Sequence, residues 1–108
     1  MIDNKKKTTH IAEKAILIGV VTQYQSEEKL SEYLDELEFL AETAGAETLM
    51  RFWQKIDKPN PKTLLGSGKV DEISRYIKEN EIDLAIFDEE LSPSQLKNIE
   101  KVFNCKVL

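Results

Sequence analysis

Seven consecutive apolar residues, Ala15-Ile16-Leu17-Ile18-Gly19-Val20-Val21, constrain the fold of this chain more than any other feature. The run has strand length and no polar alternation, so neither of its faces suits water. That pattern belongs to a central strand covered on both sides, as in parallel α/β sheets. The next segment agrees. Across residues 26–44 the apolar positions Leu30, Leu34, Leu37, Ala41 and Ala44 recur at spacings of three and four, one stripe of a helix. Ser26 fits its N-cap, Glu27 and Glu28 lie at the positive end of the dipole, and Gly45 sits where a left-handed residue would stop it.

Residues 46–57 read as a second strand, with Met50 and Phe52 on one face and Leu49 and Trp53 on the other. Pro59 and Pro61 break it, because a ladder needs the N–H that proline lacks. A second helix starts at Gly66-Ser67-Gly68, turning Val70, Ile73 and Ile77 inward with Tyr76 at the margin. Residues 82–87 form a third strand and 92–103 a third helix, with Leu96, Ile99 and Val102 or Phe103 inward. Cys105 to Leu108 begin a fourth strand. The order β-α-β-α-β-α-β predicts an α/β domain, three-layer-like, around a four-stranded, mainly parallel sheet. The handedness rule for crossovers leaves few arrangements, and the half-Rossmann-like strand order 2-1-3-4 is the expected one. Residues 1–12, polar and lysine-rich, are expected as a flexible tail, which leaves 13–108 as the domain. A chain that ends on a strand is expected to be a fragment of a longer one.

Composition narrows the function. No apolar run approaches the roughly 18 residues of a membrane span. The one cysteine, Cys105, cannot form an internal disulfide and suits a reducing compartment, so the cytoplasm is expected. The net charge of -5 argues against generic nucleic-acid binding, but it is unevenly spread. Acidic residues dominate between Ser26 and Glu47. From Arg51 to Lys69 the balance reverses, with Arg51, Lys55, Lys58, Lys62 and Lys69 against Asp57.

In an open parallel sheet, ligands bind outside the carboxyl ends of the strands. That rule gathers residues 22–25, 58–69 and 88–94 onto one edge. Gly66-Ser67-Gly68-Lys69 is not a Walker A loop, since Thr63 stands where that motif needs glycine and Val70 where it needs a hydroxyl. What it offers is a glycine-flanked helix start whose free N–H groups suit a phosphate, or simply a tight loop-to-helix entry. Asp88, Glu89 and Glu90 suit a hard cation such as magnesium, or cap a helix and pair with a neighbour, for which Lys69 is the candidate. Ser92, Pro93 and Gln95 form a capping box. His10 is the sole histidine and falls in the tail, so no histidine-based triad or zinc site is expected, and no metal ligand set or catalytic residue is assigned.

Four segments together resemble the N-terminal domain of the HflX-family GTPases: Ala15 to Val20, Leu37 to Glu47, Gly66-Ser67-Gly68-Lys69 with Glu72, and Phe87-Asp88 through Glu100. The resemblance covers about residues 15–108. It implies a multi-domain, ribosome-associated protein that binds the large ribosomal subunit, its rRNA and proteins, chiefly under stress. It also implies a helical hairpin followed by a G domain, which binds GTP and magnesium; both are expected to be absent here, so this fragment carries no cofactor. The basic loop with Lys55, Lys58, Lys62 and Lys69 is the expected subunit contact. A nucleotide-binding domain built on the Gly66 helix start, and a structural module acting on its own G domain in cis, are the other two readings.

Overall fold

The computed structural model describes residues 12–108; the expected tail over 1–12, apart from Ala12, and His10 lie outside the described residues. In chain order the elements are β1 (Glu13–Val21), α1 (Glu27–Thr43), β2 (Ala46–Lys55), α2 (Ser67–Asn80), β3 (Leu84–Phe87), α3 (Pro93–Phe103) and β4 (Lys106–Val107). The sheet order is 2-1-3-4, the one expected from crossover handedness, and every pairing is parallel, as the alternation predicts.

β1 is central because it is apolar on both sides. Ile16, Ile18 and Val20 enter the larger core, which α2 and α3 close with Val70, Ile73, Ile77, Ile99 and Phe103. Leu17 and Val21 face the opposite way, against Leu30 and Leu34 of α1. Ala15, Ile16, Leu17 and Ile18 are each 0% exposed. Burying a side chain of this size contributes roughly 1.5–3 kcal/mol, so this one strand supplies much of the drive to fold. Gly19 lets α1 come close: a Cβ there would lie 2.4 Å from Leu30 Cδ1.

α1 begins and ends where its residues dictate. Ser26 Oγ accepts from Lys29 N at 3.1 Å, and Glu27 and Glu28 occupy the first turn. Gly45 stands just past the end at φ +98°, its N–H donating to Glu42 O at 3.0 Å. Ala44 departs from the expected stripe: it is the C-cap and exposed, because the helix ends before its turn can pack.

β2 departs further. The register passes from Ala15↔Thr48 to Ile16↔Met50, so Leu49 is an extra residue in a β-bulge. Of its large apolar side chains only Phe52 is buried, meeting Tyr76 edge-on at 5.3 Å, while Leu49, Met50 and Trp53 stay exposed. The strand is at the sheet edge and has a neighbour on one side only, so its apolar residues lack a second wall. In α3 the inward residues are Ile99 and Phe103, with Leu96 half-buried and Val102 left outside.

Candidate functional site

Since all pairings are parallel, the carboxyl ends of the strands share one edge, where Gln25 bonds the acidic turn and the start of α3 bonds the loop over 58–69. Asp88 N donates to Ile18 O at 2.8 Å, so the acidic turn starts still tied to β1. Asp88 Oδ2 accepts from Gln25 Nε2 at 3.3 Å, and the same amide donates to Val20 O at 2.9 Å. Glu89 and Glu90 point into solvent over a concavity of about 500 Å³ floored by Phe87, Leu91, Leu96 and Val107. Among the described residues no three His, Cys, Asp or Glu side chains converge as a metal ligand set.

The capping box forms and does a second job. Ser92 Oγ accepts from Gln95 N at 3.1 Å, and Gln95 Oε1 accepts from Ser92 N at 3.0 Å. Gln95 is buried, and its Nε2 donates to Asn60 O at 2.9 Å. One turn later Asn98 Nδ2 donates to Lys62 O at 3.0 Å. Asn60 in turn folds the loop on itself: its side chain accepts from Lys62 N at 2.8 Å, and its backbone exchanges bonds with Leu64 at 2.8 and 2.9 Å. Leu64 takes φ +69°, unusual for a leucine, with its side chain buried. The start of α3 therefore holds the basic loop down. Motif reading misses Asn60, Asn98, Gln25 and Gln54. Only Asn60, between Pro59 and Pro61, carries a local signal, that of an Asx turn.

The loop lysines are presented outward. Lys55 ends β2, and Lys58 and Lys62 lie on the loop; all three are exposed and none has an ion-pair partner among the described residues. Lys69 differs, because its Nζ sits 3.1 Å from Glu72 Oε1 on the next helical turn. Its partner is thus a residue of its own helix and not the acidic turn.

Gly66 caps α2 with φ −67° and ψ 156°, a conformation open to any residue, and donates its N–H to Gln54 Oε1 at 3.0 Å. A Cβ on Gly68 would meet nothing within 4 Å. Neither backbone strain nor close packing therefore demands these glycines. The first turn has no side-chain cap and no acidic residue, so the N–H groups of Ser67, Gly68 and Lys69 close no intrahelical bond.

Away from this edge, Arg51 of β2 reaches across to α1. Its Nη2 lies 2.7 Å from Asp35 Oδ1 and 3.0 Å from Glu38 Oε1. Burial alone would pull its pKa down, but the hydrogen bonds to Asp35 and Glu38 outweigh this and raise it, so the guanidinium is firmly charged. Burial pushes the Cys105 thiol up, against a smaller opposite pull from the Ala85 backbone.

Among the described residues no helix is long and apolar enough to cross a membrane. Comparison with known proteins bears on which assembly this edge serves. The family model described as "GTP-binding GTPase N-terminal" matches residues 31–108. A GTPase HflX of Flavobacterium psychrophilum is 59% identical over 95% of this chain and 25% of its own length. Those of Magnetococcus marinus and Escherichia coli K12 are 39% and 34% identical, over 93% and 89% of this chain and 23% and 22% of their lengths. The chain thus spans about a quarter of the length of the curated relatives it matches. The basic loop and the Ser92 capping box that holds it both fall inside the matched stretch, and the chain belongs to the GTP-binding GTPase N-terminal family as an HflX N-terminal domain.

Proposed function

We propose that this chain is the ribosome-facing module of a cytoplasmic GTPase and contacts the large ribosomal subunit through its basic loop. The observation that carries the reading is the clamp of Gln95 on Asn60 and Asn98 on Lys62, which holds the backbone of the loop that carries the exposed Lys58 and Lys62. Exposed cations suit phosphate oxygens, and holding the loop backbone that carries them removes part of the entropic cost of binding. The relatives are named as GTPases and are about four times longer. GTP and magnesium belong to that further length, because no G-x-x-x-x-G-K-[ST] sequence occurs in these 108 residues. Here the chain's work is binding, not catalysis. The direct test replaces Lys58, Lys62 and Lys69 together with glutamate and measures binding to purified large subunits. Loss of binding is expected, and unchanged affinity would refute the assignment.

A second reading has its own observation. The α2 N-terminus is uncapped and Gly66 and Gly68 are unexplained by geometry, which suits a nucleotide phosphate. Calorimetry with ATP and GTP decides it: heat that disappears in Gly68→Asp supports it, and silence at saturating nucleotide removes it. In the third reading the module regulates the G domain in cis by packing, and its removal changes GTP turnover without ribosomes.

A further inference from the structure

The outer edge of β2 is unpaired among the described residues. Ile56 N donates to Val21 O at 2.9 Å, so the alternation of a parallel ladder turns the backbone of Arg51, Trp53 and Lys55 outward. Those residues offer unpaired N–H and C=O groups along the stretch Met50–Lys55, beyond the bulge. Grooves flank the edge on both faces. One of about 230 Å³ lies between α1 and β2, lined by Glu27, Leu30, Leu34, Arg51 and Trp53. The other, of about 520 Å³, is lined by Met50, Phe52, Gln54, Lys69 and Glu72. An exposed edge of this length, with Trp53 and Met50 bare, is a template for another strand.

Charge selects the occupant. Glu27, Asp35, Glu38 and Glu42 recur at spacings of eight, three and four, so they share the face of α1 that looks over this edge, where Arg51 meets Asp35 and Glu38. On that side Arg51 and Lys55 stand against four carboxylates. A second copy joined edge to edge would bring two such α1 helices to about two strand spacings, roughly 10 Å, where like charges repel. We propose that the β2 edge takes up an extended, basic polypeptide segment by strand addition. Its alternate Lys or Arg side chains lie along the α1 carboxylates, and its intervening apolar side chains lie on Met50 and Phe52.

The probe is a synthetic peptide of alternating lysine and valine, as long as Met50–Lys55, titrated into the isotopically labelled chain. The amides of Arg51, Trp53 and Lys55 should gain exchange protection, while those of Met50, Phe52 and Gln54, already bonded to β1, should not. Trp53→Pro removes an outward N–H without touching the ladder to β1 and should abolish binding. Trp53→Lys, the milder surface change, checks the result should the proline variant unfold, and should weaken binding at least about tenfold by setting a like charge on the α1 side, where the basic side chains lie. A peptide of alternating glutamate and valine should not bind. The proposal is overturned if the basic peptide does not bind, if the acidic one binds equally, if Trp53→Lys binds as well as the parent, or if the protected amides are others. It is also overturned if sedimentation shows the chain pairing with itself through this edge.

Discussion

β1 and β2 are neighbouring strands of similar length, yet they end in opposite situations. β1 has a helix layer on each face and a strand on each side, and its run from Ala15 to Val21 is buried throughout. β2 lies at the edge, and Leu49, Met50 and Trp53 remain in water. The unbroken apolar run places β1 at the centre, and the mixed sequence of β2 suits the edge. The central strand serves stability, and the edge strand is left with surface that stability does not use.

Substitutions sharpen the contrast, beginning with the largest effect. Ile18→Ala should lower stability by about 2–5 kcal/mol, through reduced burial and a cavity that the close-packed core cannot fill. Trp53→Ala, a larger truncation, should change it by no more than about 0.5 kcal/mol. Equal effects in denaturant unfolding would break the comparison. Gln95→Ala should cost about 1–3 kcal/mol, because it strands Ser92 N and Asn60 O together. It should also raise hydrogen exchange in the loop over 60–64, which Ser92→Ala, losing about 1 kcal/mol through the cap alone, should do less. Gly45→Ala should cost about 1–2 kcal/mol for the left-handed conformation, read as a lower unfolding midpoint.

The smallest effect is pH-dependent. Burial raises the Cys105 pKa above its unfolded value, so the folded chain holds that proton longer. Its contribution to stability is complete below the unfolded pKa and is lost as pH rises from there toward the folded pKa. Alkylation of Cys105 near neutral pH should accordingly be slower in the folded chain than in denaturant, and equal rates would contradict its burial.

What can be read in the sequence follows from local rules. The parallel sheet comes from alternation and its order from the handedness of crossovers, α1 from its stripe and from Ser26 and Gly45, and the α3 start from Ser92 and Gln95. The bulge at Leu49 is not legible, because it exists only in the pairing of β2 with β1. The expected order 2-1-3-4 already puts this strand at the edge, but residue type alone does not show that Met50 and Trp53 stay exposed there while Phe52 is buried. The clamp of Gln95 on Asn60 joins residues 35 positions apart, and a capping box explains Gln95 without it. Edge placement pairs Lys69 with the acidic turn, whereas Glu72 on the next helical turn is nearer. The lysines of the loop are visible as a charge reversal, but the amide side chains that fix them carry no charge to notice.

The most direct test of the ribosome-facing reading is the salt dependence of binding between this chain and purified large ribosomal subunits. For every phosphate that a replaced lysine no longer neutralises, the slope of log affinity against log salt should become shallower by about 0.7–0.9. The account predicts that Lys58→Glu with Lys62→Glu weakens binding and flattens the slope by about 1.5. An unchanged slope and affinity, or no binding by the parent chain at low salt, would contradict it.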